Sequence, residues 1–261
     1  MQDKRLDLLI DYLLKERGDR GRIAVPDSEQ EKFRLYRSLV NIRPAGEADE
    51  SFLKTEEQYL KELTRQKGIT DIEDLKPVEK SIYLWQGDIT TLRCGAIVNA
   101  ANSGMTGCYM PCHSCIDNCI HTFAGVRLRL ECDRIMKEQG FEEPTGQAKI
   151  TKAYDLPCEY VVHTVGPIVE GVLDERHCEL LKSCYESCLE LAVEKEIESI
   201  AFCCISTGVF GFPQYEAAQI AVRTVREFVK DNGIKVIFNV FSDKDLKIYT
   251  QVLGIKKGDL Q

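Results

Sequence analysis

Residues Ala96 to Gly125 read AIVNAANSGMTGCYMPCHSCIDNCIHTFAG, and this stretch decides the fold. Its opening, Ala96-Ile97-Val98, is apolar on both faces, as a central parallel strand must be when helices cover both sides of the sheet. From Ile116 onward the apolar residues (Ile116, Ile120, Phe123, Ala124, Val126, Leu128, Leu130) fall at helical spacing. Between strand and helix lies a loop dense in chemistry. The stretch carries four cysteines, two histidines and one aspartate behind an Asn-Ala-Ala-Asn turn. In open α/β sheets, loops at the carboxyl ends of strands are where ligands bind.

The same grammar extends in both directions. Ile82 to Trp85, Tyr160 to Val165, Ile200 to Ile205 and Val236 to Phe241 read as strands. Between them, Leu180, Leu181, Cys184, Cys188, Leu189 and Leu191 mark one long helix, and residues 217–229 mark another. Strands alternating with helices imply a mostly parallel sheet covered on both faces. Upstream, residues 4–16, a segment after the Pro26-Asp27-Ser28 start signal, and Phe52 to Leu63 predict three helices. Residues 69–80 read as a link. The expected organisation is a helical N-terminal extension over residues 1–80 and an α/β domain over residues 81–261. No chemistry is concentrated in the extension, so it is expected to pack on or beside the main domain.

Composition narrows the functions available. The chain has 261 residues, a net charge of −8, 44% hydrophobic and 29% charged residues. The acidic balance argues against a protein that tracks nucleic-acid phosphates, which requires a basic face. It leaves room for an anionic small ligand, because backbone amides bind phosphate without side-chain charge. The opening MQDKRLDLLIDYLLKERGD holds no uninterrupted apolar core of a signal peptide, and no run approaches the ~18 residues of a spanning helix. Twelve cysteines without such a signal point to buried thiols or metal ligation in a reducing, cytoplasmic setting.

Two further motifs close strands. Gly87-Asp88-Ile89-Thr90 ends the first strand of the α/β domain, where an aspartate can accept from an exocyclic amine. Ser206-Thr207-Gly208-Val209-Phe210-Gly211-Phe212-Pro213 precedes a helix. Its small residues let consecutive N–H groups face one concavity, a nest suited to a diphosphate. It matches neither the Walker A ending nor the GxGxxG fingerprint.

In order, QGDIT, AIVNAAN, IDNCIHTFAG, TGQAKITKAYDLP, YVVHTVGP and ISTGVFGFP strongly resemble the macrodomain family, the ADP-ribose-binding module. The resemblance covers roughly Ser81 to Gly258. It implies a three-layer α/β/α fold with a mixed, mostly parallel sheet. It also implies that Asp88 and Ile89 contact the adenine, Asn102 the distal ribose, and Ser206, Thr207, Gly208, Val209 and Phe210 the diphosphate. Phe241 would lie against the adenine, and Cys115, Ile116 and Asp117 would line the ligand. Asp117 matches the aspartate that hydrolytic macrodomains place near the scissile bond, so Asp117 and Asn102 are the expected catalytic pair.

The departure from the family pattern is informative. Most macrodomains run from the Asn-Ala-Ala-Asn turn into a string of glycines, and here GCYMPCHSC stands instead. A zinc ion explains the exchange: two thiolates and an imidazole balance its charge and leave a fourth tetrahedral position open. Cys108, Cys112, His113, Cys115, Cys119 and His121 are all within reach in sequence. Cys119 and His121 fall in the helix, on different faces. Cys108, His113 and Cys115 lie in the loop proper and match the zinc-containing microbial branch of the family, which leaves Cys112 and Cys119 as small buried residues. His163, inside a strand, reads as a satisfied core histidine. That branch is associated with sirtuin-type transferases and lipoyl-carrier proteins. The expected activity is therefore removal of mono-ADP-ribose from acidic side chains of a modified protein such as a lipoyl carrier. The alternatives are a non-catalytic ADP-ribose reader with structural zinc and an O-acetyl-ADP-ribose deacetylase.

Overall fold

The computed structural model describes residues 2–255; the last six residues of the expected domain lie outside them. Eight helices and eight strands run in the order α1 (Gln2–Arg17), α2 (Glu29–Ile42), α3 (Glu50–Lys67), β1 (Thr70–Asp71), β2 (Ile82–Gln86), β3 (Leu92–Arg93), β4 (Ala96–Ala101), α4 (Ile116–Ala124), α5 (Val126–Gln139), β5 (Ala148–Lys152), β6 (Tyr160–Val165), α6 (Glu175–Glu194), β7 (Ser199–Phe202), α7 (Gln214–Phe228), β8 (Lys235–Val240) and α8 (Asp243–Leu253) among the described residues.

Six strands form one sheet in the order β2-β8-β7-β4-β6-β5. All neighbours are parallel except the edge pair β5–β6. β4 lies centrally, and Ala96, Ile97, Val98, Asn99 and Ala101 are all buried. Helices α6, α7 and α8 pack together on one face, and α4 and α5 cover the other with α1–α3 outside them. This is the expected α/β/α architecture.

The start signal before the second helix works as read: Ser28 caps α2, its hydroxyl accepting from the Glu31 amide. Helices α1, α2 and α3 share the continuous apolar core through Leu6, Leu9, Ile10, Tyr36 and Leu60. Buried Glu56 of α3 reaches further, accepting from Tyr36 Oη at 2.6 Å and from the Val126 amide, the first of α5, at 2.9 Å. The expected link holds β1, which pairs with β3 in a small second sheet.

Three local readings change. The single helix expected from Ile116 to Leu130 is broken at Gly125 into α4 and α5. There φ is +82°, and an added Cβ would stand 2.7 Å from Asp155 Oδ2 and 2.8 Å from Glu56 Oε2. Strand β7 stops at Phe202, three residues before Ile205, because the chain turns away to form the Ser206 loop. β5 and α8 are additional elements, and β8 ends at Val240 rather than Phe241.

Candidate active site

Strand β4 runs to Ala101, so Asn99 sits inside the sheet, level with His163 of β6. Asn102 follows at the strand's carboxyl end, with Oδ1 accepting from the Gly104 amide at 3.0 Å. The chain then crosses a segment without helix or strand to reach Cys115, the N-cap of α4, whose Sγ accepts from the Asn118 amide at 3.4 Å. Gly107 is required on the way. Its φ is +86°, and a Cβ would stand 2.8 Å from the His121 ring.

The loop brings Cys108, His113 and Cys115 together. Their ligand atoms lie within 4.8 Å of one another, with Cys108 Sγ 3.8 Å from His113 Nδ1. Two sulfurs and an imidazole nitrogen converging from half-buried residues suit a zinc ion with one coordination position left for solvent or ligand. Burial, helped by the Cys108 thiol and Asp117, pushes the Cys115 thiol up to about 12 against the Asn118 amide. Metal binding there would displace a proton. Cys112 and Cys119 lie apart from the trio. Both are half-buried rather than buried as expected: Cys112 stands in the loop with φ +55°, and Cys119 on α4 lies beside Arg37 Nη2 at 3.5 Å. Cys112 Sγ donates to the Arg34 carbonyl at 3.3 Å.

Asp117, in the first turn of α4, is buried beside this trio. Its Oδ1 accepts from Asn99 Nδ2 at 2.8 Å and its Oδ2 from Asn102 Nδ2 at 3.3 Å. Burial raises its carboxyl to about 6, with the two amides and Arg129 opposing. Asn99 Nδ2 also lies 3.2 Å from His163 Nδ1. With both amide hydrogens given to acceptors, Nδ1 of His163 accepts, and Nε2 carries the hydrogen that it donates to Thr151 Oγ1 at 2.9 Å. Burial lowers His163 to about 3, so it stays neutral. His121, Cys132 and His163 form a second, fully buried trio of ligand-type groups behind Asp117. The nitrogens of His163 are already committed, so this trio packs the back of the carboxylate.

The second loop is built differently. Ser206 takes φ +63° and Gly211 φ +71°. The Gly211 amide donates to Gly208 O and the Phe212 amide to Ser206 O. Among the described residues the amides of Gly208, Val209 and Phe210 have no backbone partner. They are the available donors of a nest. Phe210 is half-buried, and its carbonyl accepts from the Val169 amide at 2.8 Å.

At the far end Asp88 caps the short 3₁₀ turn Ile89–Thr91, its Oδ1 accepting from the amide and hydroxyl of Thr90 at 3.0 and 2.6 Å. Its Oδ2 pairs with Lys67 of α3 at 3.0 Å. Burial works upward on this carboxyl, but Thr90 and Lys67 outweigh it and hold it low. Ile89 is buried beneath, and Phe241 is 77% exposed. Ile116 is half-buried at the start of α4.

Sequence reasoning passed over the residues that support this site. Asn99 and Asn118 are fully buried polar groups, and a lone asparagine within the apolar AIVNAA run was a usable signal for the first. Arg37, Asn41 and Arg129 act through loop carbonyls and amides and left no pattern to read.

A sheet with a thiol-rich loop and an amide nest side by side at its carboxyl edge defines an α/β/α module with its candidate site at that edge. The Macro domain profile matches residues 98–221. The chain is 55% identical over 259 residues to a protein-ADP-ribose hydrolase of Treponema medium, covering 97% of this chain and 99% of that protein. It is 49% identical over 254 residues to a protein-ADP-ribose hydrolase of Staphylococcus aureus (strain MRSA252), covering 96% and 95%. Among solved structures, the Trypanosoma brucei macrodomain in complex with ADP-ribose matches with a TM-score of 0.63 and 30% identity over 88% of this chain and 97% of that one. The chain belongs to the macrodomain family.

Proposed function

We propose that this protein is a zinc-dependent hydrolase that removes mono-ADP-ribose from acidic side chains of a modified protein in the cytoplasm. The carrying observation is the convergence of Cys108, His113 and Cys115 beside Asp117 and Asn102, at the same sheet edge as an amide nest. The relatives named protein-ADP-ribose hydrolase support the activity. The donor set supports the metal.

In this reading the Gly208, Val209 and Phe210 amides, with Ser206 and Thr207, hold the diphosphate, while Asp88 and Ile89 meet the adenine. Asn102 orients the distal ribose, whose reacting carbon then faces Asp117 and the loop cysteines. Zinc bound by Cys108, His113 and Cys115 would supply Lewis acidity and orientation at the sugar's oxygens. Asp117 Oδ2 holds or accepts the proton of the attacking water. Asn99 fixes the other carboxylate oxygen, so a rotation that would misaim the proton is opposed. Water adds across the ester, yielding free ADP-ribose and the restored carboxyl group. A lipoyl-carrier protein is the modified partner we favour.

The test pairs metal analysis of the purified protein with turnover of Asp/Glu-linked, Ser-linked and Arg-linked ADP-ribose. Stoichiometric zinc with selective release from acidic linkages is expected. Equal turnover after complete metal removal would strike zinc from the mechanism, and binding without release from any linkage would leave a reader.

A further inference from the structure

The ligand-bearing loop is held from outside. Arg37 of α2 donates through Nη2 to the His113 carbonyl at 2.6 Å and to Asn118 Oδ1 at 2.8 Å. Asn118 passes this contact on, its Nδ2 donating to the Met110 and Cys108 carbonyls at 2.9 and 3.3 Å. One turn further along α2, buried Asn41 accepts the Cys112 amide on Oδ1 at 2.8 Å and donates from Nδ2 to Thr122 Oγ1 of α4 at 3.0 Å. Arg129 of α5 closes the arrangement. It donates to Thr106 O at 2.8 Å and to the Val40 and Asn41 carbonyls at the end of α2 at 2.8 and 2.9 Å, with its guanidinium over the Tyr109 ring. A cation at the last carbonyls of a helix is favoured there.

These contacts fall on the backbone of the ligand residues and their neighbours, Thr106, Cys108, Met110, Cys112 and His113. The loop has no ladder of its own between Asn102 and Cys115, so its course must be set by the groups that meet its polar atoms. We propose that α2 is a clamp for the metal loop, with Arg37 and Asn41 as positioning residues that fix the separation of the Cys108, His113 and Cys115 donors. This gives the N-terminal helices a role in the site that their lack of chemistry concealed. The proposal deepens the zinc reading above and rests on it.

The test uses the full chain and its Arg37→Ala, Asn41→Ala and Arg34→Ala variants, the last exposed on the same helix. Zinc affinity is measured by competition with a chromophoric chelator, and ADP-ribose affinity by calorimetry. Arg37→Lys keeps the charge but loses the planar fork, and it replaces Arg37→Ala if that variant does not fold. Zinc binding about 10-fold weaker in the Arg37 and Asn41 variants is expected, as for other outer supports of metal ligands. Arg34→Ala and ADP-ribose affinity should be unchanged. Folded Arg37 and Asn41 variants that bind zinc as tightly as the parent overturn the clamp. Should the parent bind no zinc, the metal reading fails by itself, and amide exchange decides the clamp. Exchange at residues 106–115 that is faster in both variants supports it, and unchanged exchange overturns it.

Discussion

Two loops meet at the carboxyl edge of neighbouring strands β4 and β7, and they are stabilised in opposite ways. The Ser206–Phe212 loop is held mainly by its own backbone: two residues lie in the left-handed region, two backbone turns and one tie to the Val169 amide fix it, and among the described residues three of its amides have no backbone partner. The Gly104–Cys115 loop is shaped by side chains from α2, α4 and α5. A loop held mainly by its own backbone suits a rigid anion nest. A loop that must place two thiols and an imidazole needs outside support, because its ligand residues are bulky and its own backbone bonds are few. Binding and chemistry should therefore separate by loop.

The strongest test of that separation is Asp117→Ala. Release of acid-linked ADP-ribose is expected to fall by about 100-fold or more, with calorimetric ADP-ribose affinity nearly kept. A variant that still turns over at the parent rate would break the assignment. Cys115→Ala should follow, with loss of zinc by metal analysis and a fall in turnover of about 10-fold or more. If metal is lost and turnover survives, the thiol loop is a staple and the contrast is one of architecture alone.

Gly211→Val probes the other loop. Its φ of +71° and the Val169 carbonyl 3.0 Å from the added Cβ make a β-branched residue cost roughly 1–2 kcal/mol. The expected result is about 10-fold weaker ADP-ribose binding with zinc content unchanged. Parallel loss of zinc would mean the two loops are coupled.

The last effect lies away from both loops, at the Gly125 break between α4 and α5. Burial and neighbouring Glu56 hold the Asp155 carboxyl up to about 7, although Arg127 pairs with it at 2.6 Å. A folded value raised above the unfolded one favours the protonated native state. That contribution is full below about pH 4 and is lost as pH rises through 7. Thermal melts from pH 4 to 7.5 should show the parent losing stability relative to Asp155→Asn as pH rises. Parallel pH profiles for the two proteins would refute it.

The alternation of apolar strands and helices made the sheet legible, as did Ser28 the start of α2. β5 escaped because AKITK is an edge strand with two lysines and little apolar content. The helix break at Gly125 escaped because apolar periodicity continues through it, and what forbids a side chain there is a pair of carboxylates from residues 56 and 155. The thiol-imidazole trio could be narrowed from spacing and resemblance. Its supports could not, since Arg37 and Asn41 lie some 70 residues upstream and meet the loop through peptide groups that every residue possesses.

A single amide nitrogen serving both Asp117 and His163 makes position 99 intolerant of near-isosteres. Aspartate would fit the space, yet it would set two acids face to face and trap a proton between them. Leucine would strand a carboxylate and an imidazole in the dry middle of the sheet. The one side-chain amide of β4 endures in a fully enclosed position because each hydrogen it offers already has a taker.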